Sequence, residues 1–189
     1  MIPAYALDFA PESGDRRSRR SRLGGEPAWL DAPQWPLSSG DGEPMTFLAQ
    51  FRVPGERVTA YLFMDLRGTR SWLPEGGQNA LLLQPSGRIP AFLTTAPLRT
   101  GPVLRDAAGR TVCHEARLTP SARDVSSAQH MGGHPTWLQG DEAPERWTFL
   151  LQLDSGQLPG AVVGFGDAGI GYAFIDPDRR EGRFLWQSG

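Results

Sequence analysis

Two apolar runs, residues 45–52 and 58–65, flank the stretch Val53-Pro54-Gly55-Glu56-Arg57. Their alternating or continuous Phe, Tyr, Leu and Val positions, with Pro-Gly between them, predict a β-hairpin. Residues 147–154 and 171–176 repeat the pattern around a longer glycine-rich segment, and residues 79–84, 111–118 and 183–187 read as further strands bounded by Gly and Pro. With 17 prolines and 23 glycines, little room remains for long helices. One short helix is predicted over residues 120–129, with Thr119 as its N-cap.

The strand pattern occurs twice because the words around it do. Leu23-Gly24-Gly25-Glu26-Pro27-Ala28-Trp29-Leu30 returns as Met131-Gly132-Gly133-His134-Pro135-Thr136-Trp137-Leu138, offset by 108 positions. Thr46-Phe47-Leu48-Ala49-Gln50-Phe51 returns as Thr148-Phe149-Leu150-Leu151-Gln152-Leu153, and Tyr61-Leu62-Phe63-Met64-Asp65 as Tyr172-Ala173-Phe174-Ile175-Asp176, offset by 102 and 111. Three blocks in one order with drifting offsets predict an internal duplication, with insertions and deletions confined to loops. Each Gly-Gly-x-Pro should turn the chain, since glycine accepts positive φ and proline fixes an extended exit. The tryptophan two residues later should then plug the core. One repeat alone would leave an apolar face exposed, so the expected fold is mainly β, a single-domain β roll of two pseudo-symmetric repeats with few short helices. Repeat one covers about 21–110 and repeat two about 111–189, after an N-terminal arm over residues 1–20 whose arginine-rich segment, 12–22, has no apolar residue to anchor it.

Composition narrows the chemistry. The 189 residues suffice for one domain with a proper core. All 19 basic residues are arginine and asparagine occurs once, the signature of a GC-rich coding sequence. Without lysine, phosphate-loop nucleotide hydrolysis, protein-kinase chemistry and Schiff-base catalysis are excluded. A net charge of −2 offers no general attraction to nucleic acid, and no run of 18 apolar residues suggests a membrane span. The opening Met1 to Asp8 lacks the basic and apolar segments of a secretory signal, and the single cysteine, Cys113, cannot form an internal disulfide. A cytoplasmic location is expected.

Several blocks together resemble a known family. Ser21-Arg22-Leu23-Gly24-Gly25-Glu26-Pro27-Ala28-Trp29, then Gln34-Trp35-Pro36 and Met45-Thr46-Phe47-Leu48-Ala49-Gln50, resemble the opening of the YwqG-like family, a bacterial domain of unknown function. His130-Met131-Gly132-Gly133-His134-Pro135, Trp147 to Ser155 and Gly166-Asp167-Ala168-Gly169 are similar to its later part, so the likeness covers about residues 21–189. It implies a mainly-β roll of two related halves and brings no established activity, cofactor or catalytic residue. Phe165 stands where the family typically has tryptophan, and the longer N-terminal helical segment of many members is missing.

Candidate chemistry is sparse. Gly164-Phe165-Gly166-Asp167-Ala168-Gly169 matches the dinucleotide pattern, but the residues after it read as a strand where that motif needs a helix. His130 and His134 have the i, i+4 spacing of a helical metal pair, yet Gly132, Gly133 and Pro135 break such a helix and no cluster supplies further ligands. Neither metal nor cofactor is expected. Cys113 and His114, adjacent on a strand, point to opposite faces and cannot act as nucleophile and base. No G-x-S-x-G elbow occurs. Trp29 and Trp137 recur with the Gly-Gly-Pro frame and read as core anchors. Trp35 has no counterpart, its offset position being Ala143, and so reads as the better binding residue. The expected site is a cleft between the repeats lined by Trp35, His130, His134, Asp154 and Asp167. It belongs to a non-enzymatic module acting through a protein partner, as an immunity-like toxin neutraliser would, with neither nucleic acid nor membrane as partner. The alternatives are a hydrolase pairing His130 or His134 with Asp154 or Asp167, and a carbohydrate-binding domain built around Trp35.

Overall fold

A computed structural model describes residues 1–11, 18–121, 129–161 and 163–189. One sheet of ten strands dominates them. In chain order the strands are β1 (Tyr5–Pro11), β2 (Arg22–Gly24), β3 (Trp35–Leu37), β4 (Thr46–Arg52), β5 (Thr59–Met64), β6 (Asn79–Gln84), β7 (Thr94–Ala96), β8 (Cys113–Pro120), β9 (His130–Met131), β10 (Thr148–Asp154), β11 (Ile170–Ile175) and β12 (Gly182–Gln187). The sheet runs β12-β11-β10-β9-β1-β8-β2-β4-β5-β6, and β3 pairs with β7 in a separate ribbon. The mainly-β expectation is met, and a 3-10 turn, Ser155–Gln157, is the one helical element among the described residues.

The sheet curls until its ends meet. Arg88 N donates to Arg180 O, and at Gly182 an added Cβ would lie 2.3 Å from Leu81 O, so only glycine lets β12 approach β6 so closely. The strands are buried on both faces, as six consecutive buried residues in each of β5, β6 and β11 show. On β5, Ala60, Leu62 and Met64 point into the interior core, while Tyr61 and Phe63 join an outer cluster with Trp35, Met45, Phe47, Ala80, Leu82 and Leu93. On β11, Ala173 and Ile175 point inward, and Ile170, Tyr172 and Phe174 form a second outer cluster with Phe149 and Leu185. Alternation of side chains along a strand places these residues on opposite faces.

The hairpins β4–β5 and β10–β11 each carry a bulge, between Phe47 and Ala49 and between Phe149 and Leu151. The centre of the sheet crosses the halves: β1 pairs with β8 along its whole length and also with β9, while β8 pairs with β2. Tyr5–Pro11 is therefore a central strand, although its half-buried pattern did not single it out in the sequence. One expectation changes. Thr119 does not cap a helix, because it lies in β8 opposite Ala6. Residues 122–128 of the expected helix, and residues 12–17 of the arginine-rich segment, lie outside the described residues.

Candidate binding pocket

The Gly-Gly-x-Pro-x-Trp segments build the same local frame in each half. Gly24 and Gly25 have φ of 70° and 71°, Gly132 and Gly133 of 69° and 70°. Each turn is tied through its second glycine to a segment distant along the chain, Gly25 N donating to Val112 O, just before β8, and Gly133 N to Ile2 O, before β1. The exit segments are then held by buried side chains of the sheet. The Gln50 side-chain carbonyl accepts from Ala28 N at 2.9 Å and that of Gln152 from Thr136 N at 2.8 Å. The Tyr61 hydroxyl donates to Ala28 O at 2.8 Å and the Tyr172 hydroxyl to Thr136 O at 2.9 Å. Gln84 receives Leu30 N, and Gln187 receives Gln139 N. This network lays Trp29 flat on Tyr61 and Phe63, and Trp137 against Tyr172 and Phe174.

These tyrosines yield two expectations. Tyr172→Phe removes both the bond to Thr136 O and the one its hydroxyl accepts from Leu138 N, and should cost about 1–2 kcal/mol in urea unfolding. Burial pushes the Tyr61 phenol up to about 12, and that of Tyr172 also up. A folded-state pKa above the unfolded value of about 10 favours the fold below pH 10. That contribution drains away as pH rises from 10 to 12, which unfolding at stepped alkaline pH would record, with Tyr61→Phe flattening the decline.

The halves differ in what covers the aromatic floor. In the first half Trp35 does: it is fully buried, meets Trp29 and Phe63 edge-on at 6.1 and 5.3 Å, and its indole N–H donates to Met45 O at 2.8 Å. In the second half Phe149 and Phe174 are buried, 7% and 1% exposed, and the partly buried Trp137 and Trp147 border a cavity. This cavity of about 530 Å³ is lined by Trp137, Trp147, Phe149 and Phe174, with His134, Pro135, Asp141 and Ala143 around its mouth. Trp147 is buttressed from behind by Arg183, whose guanidinium lies 4.8 Å from its ring centre and 4.7 Å from that of Phe92.

Of the five residues expected to line a common cleft, His134 alone lines this cavity. Trp35 is the clearest correction, because a tryptophan with no exposed surface cannot stack on a sugar or a partner. His130 is buried in β9, and its Nε2 donates to His134 O at 3.0 Å, just as the buried Arg22 guanidinium donates to Glu26 O. The i, i+4 spacing is thus that of a side chain locking a turn, not of two ligands. Asp154 caps the 3-10 turn, accepting from Gly156 N and the Gln157 amide, which leaves it engaged at both oxygens. Asp167 sits exposed on the loop before β11, its carbonyl holding Gly189 N. Phe165 is fully buried against Phe184 and Trp186. Among the described residues no group of three or more His, Cys, Asp and Glu could hold a metal ion, and no helix is long and apolar enough to cross a membrane.

The pocket was within reach of sequence reasoning through an absence: Ala143 stands where the first half has Trp35. No curated protein and no solved structure matches the chain. Residues 93–182, which supply every lining residue of the cavity except Met1, match the model of a family described as a domain of unknown function, DUF1963.

Proposed function

We propose that this chain is a non-enzymatic cytoplasmic module that binds a partner protein through the aromatic pocket of its second half. The observation that carries the reading is the cavity bordered by the partly buried Trp137 and Trp147, with the buried Phe149 and Phe174 also in its lining and few polar groups around it. Pockets of this size and lining bury one apolar anchor, and interface energy concentrates on such anchors. Of the four residues in the hydrolase alternative, His130, His134, Asp154 and Asp167, His130 and Asp154 are engaged in local structure. On this reading the chain is a YwqG-like protein, and its halves are two copies of one unit. The matched Gln, Tyr and Trp contacts on either side of the central β1–β8 pair support that descent.

The test is affinity capture from native lysate with the wild-type chain and with Ala143→Trp. Ala143 is exposed at the mouth of the cavity, so a large ring there fills the pocket without disturbing the core. A stoichiometric partner held by the wild type and lost from the variant is expected. Recovery of the same partner by both would refute the reading.

A further inference from the structure

The first half displays what such a floor accommodates. Trp35 and Pro36 lie 108 positions before Ala143 and Pro144, the separation of Trp29 and Trp137. The correspondence is also one of hydrogen bonding: Pro36 O accepts from Met45 N, and Pro144 O accepts from Trp147 N. Between these anchors the second half is six residues shorter, the difference between the offsets of the flanking blocks, and it turns back through Arg146 at a φ of 66°. Ala143 thus holds the place of the plug and has no ring to insert. Among the groups that meet the Trp35 indole are Trp29, Phe63 and Met45. Their counterparts Trp137, Phe174 and Trp147 all line the cavity. In the same alignment the carbonyl of Trp147 is the counterpart of the Met45 carbonyl that receives the Trp35 N–H.

Resting on the binding reading above, we infer that the second-half pocket takes an indole ring, a tryptophan side chain on an extended segment of the partner, in the place that Trp35 fills in the first half. An aromatic lining rewards any flat apolar ring, and a carbonyl in the place of Met45 O selects for one that carries an N–H. The rim adds a charge preference. Asp141, which lines the mouth and spends one oxygen on Ala143 N, favours a basic over an acidic neighbour beside the tryptophan.

The experiment follows backbone amide signals by NMR as N-acetyl-tryptophanamide is titrated into the full chain. The comparison probes are its N1-methylindole counterpart, N-acetyl-phenylalaninamide and tetramethylammonium. Saturable shifts at Gly133, Trp137, Ala143 and Phe149 are expected with the tryptophan probe. Methylation of the indole nitrogen should weaken binding several-fold, and Ala143→Trp at least ten-fold. Tighter binding of phenylalaninamide or tetramethylammonium at the same residues would overturn the indole assignment and leave the pocket a binding site. Saturable shifts elsewhere that survive Ala143→Trp would also overturn the assignment. No shift with any probe, together with a lysate partner retained by Ala143→Trp, would overturn both.

Discussion

Trp35→Ala should destabilise the protein by about 3–5 kcal/mol, the usual cost of deleting a fully buried large aromatic side chain. Two losses combine. The ring vacates contacts with Trp29 and Phe63, and the Met45 carbonyl loses its indole donor in a buried setting. Trp137→Ala, at the second-half counterpart of Trp29, should cost less, because that ring is only partly buried beside the cavity. Urea denaturation of the two variants measures the difference, and equal losses would mean that Trp137 is packed as tightly as Trp35. The cavity left by Trp35→Ala is shaped for one molecule. Added indole should therefore bind it and recover part of the stability, as ligands that bind only the folded state do.

The second large effect belongs to the Gly-Gly turns. Gly24→Ala or Gly132→Ala should cost about 3 kcal/mol or more and lower the yield of folded protein. An added Cβ would stand 2.1 Å from Val112 O in one case and 2.1 Å from Pro3 O in the other. Both obstacles are backbone, which cannot swing aside as a side chain would. The left-handed φ adds a further 1–2 kcal/mol by itself, roughly. Gly55→Ala separates the two contributions, since its φ is 77° but nothing lies within 4 Å of the added atom. It should lose only the conformational part. Comparable midpoints for Gly55→Ala and Gly132→Ala in urea would show that the close approach is unimportant.

The parts of the fold that could be read in the chain are those whose side chains carry their own instruction. β4, β5, β10 and β11 were visible because Phe, Tyr and Leu fill nearly every position and proline or glycine bounds the hairpins. β2 and β9, three and two residues long, are too brief for any periodicity and exist because a Gly-Gly turn delivers them to a neighbour. β1 escaped notice because Asp8 and the half-buried Phe9 and Ala10 blur its alternation, and its place depends on β8, far along the chain. Trp35 was misplaced for a related reason. A tryptophan among prolines reads as a loop residue, and only the ribbon of β3 with β7 carries it down onto the floor of Trp29 and Phe63. The histidine pair was legible as a spacing but not as a purpose, since the carbonyl that His130 meets lies on the backbone. Comparing the two halves position by position was the stronger instrument. It gave Trp35 no counterpart, Ala143 standing 108 positions later, and Ala143 is among the residues that line the cavity.

The crossed centre of the sheet also sets a timetable. β1 finds its partners at Cys113–Pro120 and His130–Met131, more than a hundred residues after it leaves the ribosome. Until then β1 has no neighbour and β2, paired with β4 alone, keeps one edge open, while the first Gly-Gly turn waits for Val112 to arrive. Pairings so distant along the chain make folding slow, since loop closure is spent before contacts repay it. A chain halted before β8 would thus be less a half-protein than an adhesive one, its edges open to the first strand that another copy presents.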